Sequence, residues 1–586
     1  MIMKNILLPA LLSIILLGCE DYLDKTPESA GMTDEEVFTD YLNFRSFQDR
    51  MYLSMHNYLD PVDYAPIHSL CDEGFMHCEW ETLPAIQSGD WIRGYDLGQA
   101  LQFYKVWGAW SSIRIINLSL ENIHQLEGNA TQEQIDQLKG QAHFMRAWYF
   151  YEFLKRQGGM PYLTGSLKGT DDFALPRLSY HETALHIATD CDTAASLLPE
   201  NWDMANLGRP TKGAAMAVKA AALLFSASPT NNPENDQSKW ELAAQASWDL
   251  ISMAESTGIY RLLECKGTDS VNYRVITDVD SSIHTVYYPS GFDSIFLYQP
   301  YNDEIIWEYW PHVTNAQIYQ PFTVPTLNRG GVIHGFSPSA NFVDMFETDN
   351  GLAINDDPSF DEQNPFVNRD PRFYHSILFN GERWTSQTDR YLELFNGGEE
   401  RQAAMYYSVS GYLARKYWYK NVDQWSPPSG LNTHSIYFRL ADIYLQYAEA
   451  ANEIGGPDYA IPGASLTAVE AVNIIRARVK MPAVHSSYLG SKETFRERIK
   501  NERAVELFLE GKRLFDLSRW GDAHKSEHRE LYAIDLTPDF TKPTGYVITR
   551  STQPFFTLVF QQKHYRWPIP LDDALMFKEF EQNPGW

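Results

Sequence analysis

The sequence predicts a mainly α protein, in which tetratricopeptide-like helical hairpins form a scaffold for a loop-rich region containing short strands. Three observations carry that expectation. Apolar residues recur at helical spacing in the first half of the chain and again after Ser435. The periodic segments come in consecutive pairs joined by short turns, the arrangement of helical-hairpin repeats. Between them, from about Lys266 to Ser435, the chain is rich in Gly, Pro, Asn, Asp and aromatic residues and loses the helical period.

The chain begins with a targeting segment. Lys4 supplies a positive n-region, and Ile6 to Leu17 form a short apolar stretch interrupted by Pro9 and Ser13. That length is too short for a bilayer span and fits a secretory signal peptide over residues 1–18. The stretch ends in Leu16-Leu17-Gly18-Cys19, which resembles a bacterial lipobox, with Leu17 where a small residue is commonest. Cys19 is therefore the expected lipidation site. Each buried methylene contributes roughly 0.8 kcal/mol, so several acyl chains anchor a protein durably. Glu20, Asp21 and Asp24 follow, as in the surface-export signal of Bacteroidetes lipoproteins; a plain solvated tether has the same look. Cys71 and Cys78 are close enough for one disulfide, while Cys191 falls in a helical pattern and reads as a buried thiol. No cysteine spacing fits zinc.

An irregular stretch, 72–98, interrupts the first helices. Helix pairs then follow at about 98–125 with 131–157, 211–228 with 238–256, and 437–455 with 466–480. Within 131–157, Leu138, Ala142, Met145, Tyr149 and Phe153 keep helix spacing until Gly158-Gly159 and Pro161 stop it. Thr211 can cap a helix whose interior, Gly213 to Ala227, is dominated by small residues, so a close helix–helix approach is expected. A last stripe runs through Ala504, Leu507, Gly511 and Leu514. The domains read as a helical region over 19–265 and a second region over 266–586, loop-rich to 435, helical over 436–525 and irregular beyond.

Composition excludes some functions. With 48 basic and 76 acidic side chains the net charge is −28, which repels phosphate backbones and argues against a nucleic-acid partner. Glu502, Glu506 and Glu510 are spaced like a carboxylate pair, but Arg503, Arg513 and Arg519 beside them favour a helix-packing ion network. His181 and His186 are five apart, roughly 140° around a helix, so they do not share a metal-facing side. No nucleophile elbow, phosphate loop or dinucleotide fingerprint is present, and no enzyme is expected. No cofactor or metal is called for; a structural calcium ion bracing a loop is allowed but not indicated.

The loops hold the better candidates. Sugar rings present apolar C–H faces, which a Trp or Tyr face shields, and a hydroxyl rim, which amides and carboxylates bond. The first loop offers Trp80 and Trp91. The second, 295–320, offers Tyr298, Tyr301, Trp310 and Tyr319, with Asn302 and Asp303 as polar neighbours. Within Ile305–Trp310, alternation puts Trp307 and Tyr309 on one face and Trp310 on the other, with Trp307 expected inward.

Taken in order, several motifs resemble the SusD/RagB family of glycan-binding lipoproteins. The most specific is Asn501-Glu502-Arg503-Ala504-Val505-Glu506-Leu507 running on to Glu510-Gly511-Lys512-Arg513 and Asp516-Leu517-Ser518-Arg519-Trp520. Arg439-Leu440-Ala441-Asp442, Asn473-Ile474-Ile475-Arg476-Ala477-Arg478 and the ending Gln582-Asn583-Pro584-Gly585-Trp586 fit as well. So do Arg146-Ala147-Trp148-Tyr149, Gly158-Gly159-Met160-Pro161, Gly208-Arg209-Pro210-Thr211 and Asn368-Arg369-Asp370-Pro371-Arg372. The resemblance implies tetratricopeptide-like helix pairs with a variable, loop-rich face. It also implies an oligosaccharide or polysaccharide ligand and a SusC-like TonB-dependent outer-membrane transporter as partner. It implies, further, a lipid-anchored, cell-surface location. Peptide or glycopeptide capture is the first alternative; a surface glycoside hydrolase and a lid without a working site are the others.

Overall fold

The computed structural model describes residues 33–58, 67–77, 82–92, 106–169, 175–278, 280–297, 302–309, 335–383, 391–401, 408–417, 434–576 and 579–586. Residues 1–18, expected to be a signal peptide, lie outside them, as do Cys19 and Cys78.

The scaffold is the expected stack of helices. Its members are α1 (Ala109–Asn122), α2 (Gln132–Arg156), α3 (Tyr180–Leu197), α4 (Lys212–Ala227) and α5 (Gln237–Thr257). After the loop-rich region come α6 (Leu440–Gly455), α7 (Ala468–Arg478), α8 (Lys492–Glu506) and α9 (Arg513–Trp520). Capping boxes start α2 at Thr131 with Gln134, α3 at Ser179 with Glu182, and α7 at Thr467 with Glu470. Helix α3 stands between the first two expected hairpins and makes the stack continuous. From α2 to α7 each helix packs on the next, α8 returns to pack on α6, and α5 lies directly on α6 although the whole loop-rich region separates them in sequence. That region is thus an excursion from one scaffold, and the main apolar core runs through both halves of the chain, beside a smaller cluster of Phe38, Phe44, Ile123, Leu126, Ile135 and Leu138.

The small residues of α4 behave as expected. Gly213, Ala214, Ala217, Ala220 and Ala221 are buried against neighbouring helices, and a side chain on Gly213 would meet the Tyr260 ring at 2.5 Å. Nearly all of α6 is buried, because α5, α7 and α8 surround it.

The stripe through Ala504 and Leu514 departs from expectation. Rather than one helix, α8 ends at Glu506 and α9 begins at Arg513. Leu509 (φ 58°) and Gly511 (φ 71°) turn left-handed between them. Leu509 adopts that costly conformation because its amide donates to the buried Glu73 Oε1 at 2.8 Å. Cys71 is a free, buried thiol beside the His68 carbonyl and Glu73, so the bridge that the sequence allows is not formed here. Cys191 is buried, as read.

Strands are short and paired two by two, all antiparallel. β1 (Gly74–His77) pairs β5 (Gly335–Pro338), and β2 (Thr268–Ile276) pairs β3 (Ser281–Pro289). β4 (Ile305–Glu308) pairs β6 (Ile436–Arg439), and β7 (Ile534–Pro538) pairs β8 (Tyr546–Arg550). Among the described residues no helix is long and apolar enough to cross a membrane.

Candidate ligand-binding region

Two of these ladders gather the aromatic segments. In the first, Gly74 faces Pro338 and His77 faces Gly335. Because the strands are antiparallel, the chain leaves β1 toward Trp80 at the same ladder end where it arrives at β5 from residues 310–334. In the second, Ile305 faces Arg439 and Glu308 faces Ile436, so 310–334 sets out where 418–433 returns. Segments far apart in sequence are therefore tied at their roots.

The roots are rigid for a physical reason. Glu304, just before β4, accepts from Arg439 and Arg478 at 2.7 Å. Arg439 also reaches Glu506 at 2.7 Å and Glu510 at 2.8 Å, while Lys416 binds Glu510 at 2.8 Å. Arg372 bridges Asp370, Glu502 and Glu506 at 2.5 to 2.9 Å, and Arg478 also pairs with Glu506. Every member is buried. Burial alone would raise the Glu506 pKa, but Arg478, Arg439 and Arg372 outweigh it and hold the carboxyl well below the usual range. A carboxylate locked among three guanidiniums has no proton to exchange with a substrate. The structural reading of these carboxylates stands, with partners drawn from distant segments; Arg503, Arg513 and Arg519 instead pair with Asp442, Asp72 and Glu449.

Among the expected ligand residues, Trp91 is 2% exposed. It stacks on His564 at 4.5 Å and sends its Nε1–H to the Ile86 carbonyl, so it packs the loop's base and offers no face to a ligand. Trp307 is buried as expected, against Phe144, Trp148 and Tyr437. All four residues of β4 are buried, so both faces of the strand are covered. One side of β4 meets α2, and on the other Glu308 pairs with His434 at 2.9 Å. Asn302 closes a turn, donating to the Ile295 carbonyl and accepting from the Glu304 amide. Asp303 pairs with exposed Arg261 and keeps about half of its side chain open, 46%. Trp80, Tyr298, Tyr301, Trp310 and Tyr319 lie outside the described residues.

A ligand-sized cavity appears where the sequence was read as scaffold. It measures about 360 Å³ and is lined by Trp107, Trp110, Leu163, Leu167, Asp573 and Phe580, among others. Trp107 and Trp110 meet at 5.8 Å with planes at 80°, forming a corner, and both are half-buried. Trp110 lies flat on Phe153 at 4.7 Å, and Trp107 Nε1–H donates to Asp573 Oδ2 at 2.6 Å. The facing wall is clamped: Asn117 donates to the carbonyls of Leu163 and Gly165, and Arg114 to that of Leu167. The signal was Trp107-Gly108-Ala109-Trp110, an i, i+3 aromatic pair at a helix start, but helical spacing alone does not separate core from cleft.

Comparison with known proteins places this geometry. A family model described as the SusD family matches residues 303–586, and one described as starch-binding, associating with the outer membrane, matches 21–224. The chain belongs to the SusD/RagB family. SusD-like protein P25 of Formosa agariphila is 24% identical over 450 residues, covering 73% of this chain and 74% of the relative. A solved SusD-like protein of Bacteroides fragilis superposes with a TM-score of 0.71 at 21% identity, over 94% of this chain and 99% of the other. A second structure from that organism, described as a SusD-like carbohydrate binding protein, gives 0.67 at 20% identity, over 93% and 100%. As in these SusD-like folds, the helical stack extends through most of the chain.

Proposed function

We propose that this SusD/RagB protein is a non-enzymatic cell-surface lipoprotein, anchored through Cys19 in the outer membrane. It captures oligosaccharide or polysaccharide ligands and delivers them to a SusC-like TonB-dependent transporter. The observation that carries the reading is the β1–β5 pairing, which roots the segments bearing Trp80, Trp310 and Tyr319 at one ladder end. In sequence, Tyr298 and Tyr301 stand just before the half-open Asp303 and the β4 strand that leads into 310–334. Aromatic faces there shield sugar C–H faces, and carboxylates and amides bond the hydroxyl rim. Many modest contacts give an affinity that permits release to a partner. The starch-binding description of the matching family model and the carbohydrate-binding description of the Bacteroides fragilis neighbour support a glycan over a peptide. No cofactor enters this scheme.

The test is calorimetry of the mature chain against soluble glycans and peptides, with Trp80→Ala and Trp310→Ala. Each variant should lose about 1–3 kcal/mol of glycan binding, by analogy with base–aromatic stacking, at unchanged melting temperature. Peptide binding without glycan binding would replace the ligand class, and release of shortened sugars would overturn the non-enzymatic assignment.

A further inference from the structure

We infer that the Trp107–Trp110 corner is a separate sugar subsite, shaped for the end of a glycan chain, one or two neutral pyranose units long. The inference rests on the glycan reading above and adds a site built from different segments: the start of α1, the stretch Pro161–Leu167 and the C-terminal residues Asp573 and Phe580.

Three features point to such a ligand. The first is size: about 360 Å³ lies near the lower end of ligand cavities, roughly 300–1,000 Å³. A long polysaccharide needs an extended groove, whereas a short chain end fills a cavity of this kind. The second is shape. A pyranose laid flat on one indole of the near-perpendicular pair turns its edge toward the other. These rings remain half-buried, unlike Trp91, Trp148 and Trp307, which are closed off in the core.

The third feature is polar chemistry at the rim. Asp573 spends Oδ2 on Trp107, leaving Oδ1 to accept from a sugar hydroxyl. Arg114 spends one Nη1–H on the Leu167 carbonyl, leaving further N–H donors in a fork suited to neighbouring hydroxyls. One carboxylate and one guanidinium balance, so the corner favours a neutral ring over a uronic acid. The wall opposite is held before any ligand arrives, since Asn117 grips Leu163 and Gly165 while its own Oδ1 accepts from buried Arg146. Such preorganisation reduces the ordering cost of binding.

The experiment titrates the mature chain with methyl glycosides and disaccharides of neutral hexoses, and with longer soluble glycans, by saturation-transfer NMR and calorimetry. Trp107→Ala removes one face of the corner. Leu167→Trp fills the cavity while keeping both indoles, and so serves if Trp107→Ala misfolds; melting curves accompany each variant. Short sugars should bind the parent and weaken about tenfold in Trp107→Ala, the size of one lost stacking contact, and at least as much in Leu167→Trp, which leaves the ring no room. Trp310→Ala should weaken only the longer chains. Equal binding of short sugars by Leu167→Trp would overturn the subsite, as would binding of long chains but of no one- or two-unit sugar. In either case the glycan reading survives on the Trp310 dependence. If no sugar of any length binds, both readings fall.

Discussion

Trp148 and Trp307 meet edge to face, their ring centroids 4.8 Å apart and their planes at 88°. One belongs to α2 and the other to β4, so this contact fastens the root of an aromatic loop to the helical stack. Trp307→Ala should therefore cost about 3–5 kcal/mol of folding stability, through a cavity that the packed helix cannot fill. Denaturant unfolding measures it. A variant with parental stability would mean that the indole is not a core residue.

Trp91→Ala should also act on the fold. The indole lies parallel to His564, 6° between planes, and touches Trp567 and Phe560. Burial pulls the His564 pKa down to about 4, with Lys563 adding to the effect, so the stack is uncharged at neutral pH. The expected result is a lower melting temperature with unchanged glycan affinity in the folded fraction, the reverse of the result for Trp310→Ala.

Glu506→Gln should be far more damaging than removal of a surface charge. It strips the shared partner from Arg372, Arg439 and Arg478 in the interior, a loss of about 3–5 kcal/mol. Asp192 pairs with Lys219 at 2.7 Å but is 62% exposed, and Asp192→Asn should cost less than about 1 kcal/mol. Chemical denaturation of the two variants side by side checks the contrast.

Acid should loosen the α2–α3 contact. Burial would raise the Asp190 carboxyl, yet hydrogen bonds from Arg146 and His143, helped by Tyr162, bring it from 3.8 down to about 2. A carboxyl depressed in the fold stabilises it above the unfolded value, and that contribution fades as pH falls from about 4 to about 2. The contribution is about 2 kcal/mol. In melts taken from pH 5 to pH 2, Asp190→Asn should start less stable and show a shallower decline over that window.

Cys19→Ala should leave the protein unacylated and release it from the membrane fraction. Detergent partitioning of parent and variant is the measurement. Unchanged partitioning would remove the lipid anchor from the proposed function.

Much of this protein is determined by local sequence. The helices around Leu138–Phe153, Gly213–Ala227 and Leu440–Ile454 follow from apolar spacing and caps such as Thr131 and Thr211, because helical hydrogen bonds and faces span only a few residues. The lipobox-like run ending at Cys19, on which the proposed anchor rests, is equally local. Tertiary structure decided the rest. Which tryptophans close the core (Trp91, Trp307) and which line a cleft (Trp107, Trp110) depends on what packs over them, and composition is the same in both cases. The left-handed turn at Leu509 awaits a carboxylate from Glu73, and Glu506 takes its cations from Arg372, Arg439 and Arg478. The union of β1 with β5 is likewise made across a long stretch of chain. Such pairings carry no periodic trace in sequence, because their energy comes from desolvated contacts between segments that meet only after the chain has folded.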